Sequence, residues 1–298
     1  MMAAPKQPIL RGELRLNESL ERYNTWRVGG PARQMYLPAD VEDLGVFVGS
    51  LPPQEPLLWL GLGSNLLIRD GGFPGTVIVL LGRLNGLAIS GSEVRVDAGT
   101  ACAKVARECA RANLTGAAFL AGIPGTMGGA LAMNAGAFGG ETWRTVSSVT
   151  MMDRGGRLYN RDPDEFKVSY RDVVRPAEEW FVGCTLHLEQ GDGSAEQAAI
   201  RALLDRRAAT QPTGQPSCGS TFRNPEGDHA ARLIEASGLK GHRIGGAEVS
   251  PKHANFIINT GEASATDIEE LIVHVREQVE REHGIRLQTE VHMVGEQL

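Results

Sequence analysis

Hydrophobic positions recur along this chain with a period of two in some stretches and of three to four in others, and the two kinds interleave. The clearest helix is near the end. Ile268, Leu271, Ile272, Val275 and Val279 fall on one face at helical spacing. Thr266 with Glu269 reads as the capping box that starts this helix, and Gly284 as its stop. Beyond it Ile285, Leu287, Thr289, Val291 and Met293 alternate with Arg286, Gln288, Glu290 and His292, which predicts a closing strand.

Earlier strands are predicted at Leu57–Leu60, Leu66–Arg69, Thr76–Leu81, Glu93–Ala98, Val146–Asp153 and Phe181–Glu189. Asn24 to Leu37 reads as a turn and a short strand. Asp40 is placed to cap a helix over Val41–Gly49, and Thr100 one running to about Ala112. Further helices are predicted over Ala195–Ala209 and from His229 to Gly238. Leu14 to Arg22 reads as a polar lead-in. Strands and helices mixed in this way give an α/β or α+β class.

The chain has 298 residues, enough for about two domains and a sizeable core. Its formal net charge of -6 argues against a nucleic-acid binder. No apolar run reaches the ~18 residues needed to span a bilayer. The start of the chain carries no continuous apolar segment of the secretory type. Cys102, Cys109, Cys184 and Cys218 have neither disulfide-framework nor zinc spacing, which points to a reducing cytoplasmic compartment. The seven histidines show no metal-ligand spacing either. Gly191-Asp192-Gly193-Ser194 is the best candidate for a domain boundary.

Candidate chemistry lies in glycine-rich segments. Gly61-Leu62-Gly63-Ser64-Asn65 follows a strand, so its amides can face a diphosphate, although a tight turn explains it equally well. It is not a Rossmann fingerprint, since Leu66 stands where the third glycine belongs. Gly122-Ile123-Pro124-Gly125-Thr126-Met127-Gly128-Gly129, followed by Asn134-Ala135-Gly136, suggests backbone wrapped around a flat or anionic ligand. The competing explanation is a close crossing of packed backbones. Arg171 beside Tyr170 is a permanent cation suited to a carboxylate or developing oxyanion. Ser220 sits in a glycine turn without the surroundings of a hydrolase nucleophile.

The order of these segments is more specific than any one of them. Asn24-Thr25-Trp26-Arg27-Val28-Gly29-Gly30, Gly61 to Leu67, Gly122 to Ala137, Tyr170-Arg171-Asp172, Gly219-Ser220-Thr221-Phe222-Arg223-Asn224-Pro225 and Glu290-Val291 together resemble the UDP-N-acetylenolpyruvoylglucosamine reductases (UDP-N-acetylmuramate dehydrogenases) of bacterial cell-wall synthesis. The likeness runs from about residue 20 to 295. The short interval from Tyr170 to Gly219 is similar to the shorter branch of that family. Two positions depart from its pattern: Val173 stands where Ser is frequent, and Cys218 where small residues such as Ala are common.

The resemblance implies an α+β fold, with a two-part FAD-binding module of the vanillyl-alcohol-oxidase type followed by an α/β substrate domain. The expected limits are a lead-in over 1–22, an FAD-binding domain over 23–191 (subdomains about 23–85 and 86–191) and a substrate-binding domain over 192–298. It implies FAD as cofactor, lined by Gly61, Gly63, Ser64, Asn65, Gly122, Ile123, Pro124, Gly125, Gly128, Asn134 and Gly136. NADPH is the implied reductant, and a UDP-sugar the implied substrate, touched by Asn224 and Tyr170. Hydride from flavin N5 would meet a proton from Ser220, with Arg171 and Glu290 stabilising the enolate between. The implied protein is a cytoplasmic monomer or weak oligomer with no metal, nucleic-acid or membrane partner.

Overall fold

The structure, a computed structural model, describes residues 10–298. Its first unit is a four-stranded sheet in the order Glu13–Ser19, Pro31–Leu37, Phe73–Val79, Leu57–Leu60. The first pair is antiparallel and the others are parallel. Helix α1, Val41–Ser50, packs against this sheet through Leu44, Phe47 and Val48. Asp40 caps it by accepting from the Asp43 N–H at 2.9 Å, as its sequence predicts.

The polar lead-in is itself a strand. Leu14 and Leu16 are exposed on it, so no apolar face announces it, and its backbone is held by pairing with Pro31–Leu37. The expected limit at residue 22 therefore falls inside the first structural unit.

A second, antiparallel sheet has the order Leu158–Arg161, Val146–Asp153, Glu179–His187, Glu93–Asp97, Leu87–Ser90. Its core also takes in α2, Cys102–Arg111, and α3, Met127–Ala132. Thr100 does not cap α2. Ala101 occupies that position, and the Thr100 hydroxyl donates instead to the Gly86 carbonyl at 3.1 Å. The short α3 lies inside the glycine-rich segment, where composition hid it.

Helix α4, Gly193–Thr210, starts at the Asp192 cap, but it belongs to the preceding core rather than the following domain. Ile200 is buried in that core. The Glu196 carboxylate accepts from the Gly116, Ala117 and Ala118 N–H groups at 2.8–3.0 Å. The change of core thus comes after about residue 210, and the expected boundary at 191/192 separates α4 from what it packs on.

The last unit combines α5, Ala230–Ala236, a small sheet of Arg243–Ile244, Ala247–Val249 and Ile257–Asn259, and α6, Ala265–His283. All five residues of the predicted apolar stripe on α6 are buried, and Gly284 ends the helix at φ 67°. The capping box is Ser264 with Asp267, two residues earlier than predicted. Glu269 is engaged elsewhere, with its carboxylate taking Nε and Nη2 of Arg69 at 2.8 Å each. The Thr266 hydroxyl donates to Asp70 at 2.7 Å.

Asp70 also accepts from the Ala265 and Thr266 N–H groups, placing a carboxylate at the positive end of α6. Of the predicted closing strand, His292–Val294 pairs in parallel with Leu66–Ile68 of the first unit, and Thr289 makes an antiparallel bridge to Phe222. Trp26 is fully buried in the last unit's core, donates to the Ile257 carbonyl at 2.8 Å, and gives its own carbonyl to Asn259. The units are thereby keyed to one another by specific bonds on both sides of the candidate site.

Candidate active site

Arg171 stands at the tip of a hairpin formed by Lys167–Ser169 and Asp172–Val174. Its φ of 56° is a left-handed conformation that a side-chain-bearing residue adopts at a cost of about 1–2 kcal/mol. The guanidinium is turned inward, with Nη2 donating to the Gly136 carbonyl at 2.9 Å. Asn134, itself left-handed at φ 40°, secures this end. Its amide donates to the Ser169 carbonyl at 3.1 Å and its carbonyl oxygen accepts from the Trp143 N–H at 3.2 Å.

Glu290 meets Arg171 here, with Oε1 3.0 Å from Nε. The two are out of line for a hydrogen bond, so the contact is an ion pair and the Nε–H has no acceptor. Burial pushes the Glu290 carboxyl above its ordinary value, against the opposing pull of Arg171 and Arg223. The backbone of Glu290 is held at both ends. Its N–H donates to the Thr221 carbonyl at 2.8 Å, and its own carbonyl accepts from the Asn65 amide at 3.1 Å.

Ser220 lies between Gly219, at φ 80°, and Thr221. The buried Asn255 fixes the far side of this turn. Its carbonyl takes the Thr221 N–H at 2.8 Å, and its side chain bonds both the N–H and the carbonyl of Phe222. Five segments that are remote in sequence thus close into one knot: 65, 134–136, 171, 219–221 and 290. Asn255 carried no sequence signal, because a lone asparagine next to a strand is usually a turn residue.

Tyr170 is 52% exposed at the hairpin tip, with the Arg171 guanidinium 5.4 Å from its ring centroid. Asn224 precedes α5, and its side-chain Oδ1 accepts from the N–H of Ala230, the first residue of that helix, at 3.1 Å. Cys218 is buried beside the serine turn, and burial pushes its thiol pKa up.

Several predicted cofactor glycines prove to have neighbours of their own. A side chain at Gly61 would meet Thr126, and one at Gly63, which also needs its φ of 67°, would meet the Tyr23 carbonyl. Gly122 lies against Phe138, Gly128 against Ala98 and Gly136 against Gly140. Close backbone approach accounts for Gly63 and Gly136 and in part for Gly128, packed side chains account for Gly61 and Gly122, and Gly125 has only ordinary contacts. Ile123 is buried.

A cleft of about 770 Å³ opens beside these crossings. Gly61, Ser64 and Pro124 lie in its wall, together with Thr25 and the loop from Gln211 to Gly219. Among the described residues four arginines line it (Arg22, Arg27, Arg83 and Arg207) and no carboxylate does. Arg83 has Glu13 at 3.5 Å, whereas Arg207 bonds only Gln211 and is depressed in pKa by burial. Arg27 is held at φ 59°. The Thr25 hydroxyl is buried with no partner. A positive, partly unsatisfied cleft walled by two glycine segments fits a large anionic ligand such as a dinucleotide. Arg207 was missed because a helix-end arginine ordinarily marks a solvated face.

Comparison with known proteins agrees with this geometry. Residues 33–161 match the family model "FAD binding domain", and 211–294 match "UDP-N-acetylenolpyruvoylglucosamine reductase, C-terminal domain". The second match begins where the structure changes core. At 14% identity and a TM-score of 0.56, the crystal structure of 6-hydroxy-D-nicotine oxidase from Arthrobacter nicotinovorans covers 95% of this chain and 90% of its own, a likeness of fold. These findings define an FAD-dependent oxidoreductase built on the vanillyl-alcohol-oxidase type of fold.

The relatives narrow the class. UDP-N-acetylenolpyruvoylglucosamine reductase of Alkalilimnicola ehrlichii is 58% identical over 296 residues, covering 99% of both chains. The Methylococcus capsulatus reductase is 58% identical over 287 residues, 96% of this chain and 94% of its own. The crystal structure of the Thermus caldophilus reductase superposes with a TM-score of 0.82 at 34% identity, over 96% of this chain and 99% of that one. The chain belongs to the UDP-N-acetylenolpyruvoylglucosamine reductase family.

Proposed function

We propose that this protein reduces the enolpyruvyl group of UDP-N-acetylenolpyruvoylglucosamine to the lactyl ether of UDP-N-acetylmuramate for peptidoglycan synthesis. The supporting observation is the knot in which Arg171, Glu290 and the Ser220 turn are fastened together by the segments around Asn65 and Asn134. Gly61, Ser64 and Pro124 in the cleft wall, with Gly125 next to them in sequence, would hold FAD, which when bound would supply the hydride from N5, with NADPH as the proposed reductant. The remaining proposed cofactor contacts are Gly63, Asn65, Gly122, Ile123, Gly128, Asn134 and Gly136. In the structure Asn65 and Asn134 also brace Glu290 and Arg171.

Hydride addition to the terminal carbon of the enolpyruvyl group leaves negative charge shared between its other carbon and the carboxylate. Arg171 is a preorganised cation for that charge, already turned inward at no further cost in side-chain ordering. Glu290 holds the guanidinium at the height of the Ser220 turn. Ser220 then gives its proton to the other carbon, which completes the saturated product with one hydride and one proton added. Tyr170 and Asn224 flank the substrate, and the cleft arginines receive phosphates. The proposed setting is the cytoplasm, with the enzyme a monomer or weak oligomer supplied with NADPH and the sugar nucleotide.

The test is a visible spectrum of the purified protein under anaerobic conditions. NADPH should bleach the flavin bands and the enolpyruvyl sugar nucleotide should restore them. Restoration by oxygen alone, with no response to the nucleotide, would leave the fold standing and remove the substrate.

A further inference from the structure

Arg223 lies in the serine loop, but nothing so far gives its side chain a task. Its backbone N–H donates to the Gln288 carbonyl at 2.9 Å, while Glu290 donates to Thr221 and Phe222 bridges Thr289. Residues 221–223 and 288–290 therefore run as a short antiparallel ladder. In such a ladder Arg223 and Glu290 share one face, and Phe222, which is buried in the core, takes the other.

The Arg223 side chain leaves that face and crosses to the FAD-binding side, where Nη2 donates to the Arg171 carbonyl at 3.1 Å. That carbonyl belongs to a residue in a strained left-handed conformation, which persists only when its surroundings hold it. The Arg223 Nε–H is buried without an acceptor.

We infer that Arg223 is a positioning residue of the active site, holding the Arg171 turn by its backbone and serving as the second cation that faces Glu290. The inference rests on the reading of Arg171 and Glu290 as parts of the reacting centre. Arg171 pairs with the Glu290 carboxylate from the hairpin at 3.0 Å, Arg223 shares its face of the strand pair from the serine loop, and both cations pull against the burial that raises the carboxyl, as the buried Cys218 thiol beside the serine turn does not. His292, further along the chain, has its Nε2 3.1 Å from the Met133 sulfur. With one cation the carboxylate would be under-compensated in a desolvated place. With two, the upward push of burial on its proton affinity is opposed from both the hairpin and the serine loop.

The test compares R223M and R223K in the flavin-loaded protein, with Glu290 observed by ¹³C NMR of carboxyl-labelled glutamate and its signal assigned by its loss in E290Q. The R223M change should move the Glu290 midpoint upward by about one pH unit, a factor of about ten in proton affinity. R223K should leave the midpoint near wild type yet lower kcat, because an ammonium cannot reproduce the fork that reaches the Arg171 carbonyl. An unshifted midpoint in R223M, or equal shifts in both variants, overturns the charge role. Wild-type kcat in R223K overturns the positioning role, and it remains decisive if R223M fails to retain flavin. The titration needs no substrate, so it stands apart from any failure of the proposed reaction.

Discussion

The knot around Arg171 and the cleft around Arg207 differ in how their charges are treated. In the knot, Glu290 answers Arg171, the backbone on both sides of Glu290 is bonded, and the serine turn is braced by Asn255. In the cleft four arginines gather without one carboxylate in the lining, and the Thr25 hydroxyl is left unpaired. A reacting centre works best when its dipoles are fixed before the charge develops. A binding cleft works when its own charges are left for the ligand to satisfy. The charges of the knot are therefore answered within the protein, although the Nε–H groups of Arg171 and Arg223 keep no acceptor among the described residues, and the charges of the cleft are left for what enters it.

If that division is right, changes in the knot should act on kcat and changes in the cleft on apparent affinity. The largest effect is expected for Ser220→Ala, with sugar-nucleotide reduction falling about 10³-fold while flavin reduction by NADPH continues. Stopped-flow measurement of the two half-reactions separates these, and full turnover by the variant would remove the role given to Ser220. Glu290→Gln should lower kcat by about 10²-fold.

The pH profile sharpens the point. The Glu290 carboxyl is raised above 4.5, so on acidification it takes up its proton before an ordinary glutamate does. Activity that needs the carboxylate is then lost as pH falls through that raised value, and the limb should vanish in Glu290→Gln. Arg207→Ala should weaken binding by about tenfold or somewhat more with kcat little changed, the scale of one charge-assisted hydrogen bond. A kcat defect in Arg207→Ala equal to its affinity defect would break the comparison. The smallest effect belongs to neither region. Ser264→Ala, which removes the cap of α6, should cost about 1 kcal/mol in urea unfolding and leave kcat alone.

Much of this was legible in the residues. The α6 stripe and the Asp40 cap are local patterns, and the structure keeps them because burial and backbone bonding both act over a few residues. The capping box was read two residues late because Thr266 and Glu269 satisfy the same spacing as Ser264 and Asp267. Only the partners Asp70 and Arg69, far away in sequence, decide between them. The strand Glu13–Ser19 was invisible because an edge strand with both faces largely wet needs no apolar alternation. Of the glycine segments, Gly61 and Pro124 line the cleft, while Gly63 and Gly136 lie against backbone and Gly61 and Gly122 against side chains of their own neighbours. Arg223 and Asn255 act through contacts that span tens of residues, which no single window of sequence displays.

The bond from Asn65 to Glu290 joins positions 225 residues apart, and the parallel pairing of Leu66–Ile68 with His292–Val294 spans a similar interval. A ribosome adding about 5–20 residues per second needs roughly ten seconds or more to cover that distance. During that time the first glycine segment is already outside, with no partner for its strand and no carboxylate for its arginine. Any chaperone that attends this chain during synthesis has that exposed edge to shield, and a chain released early, without residues 290–294, leaves it open.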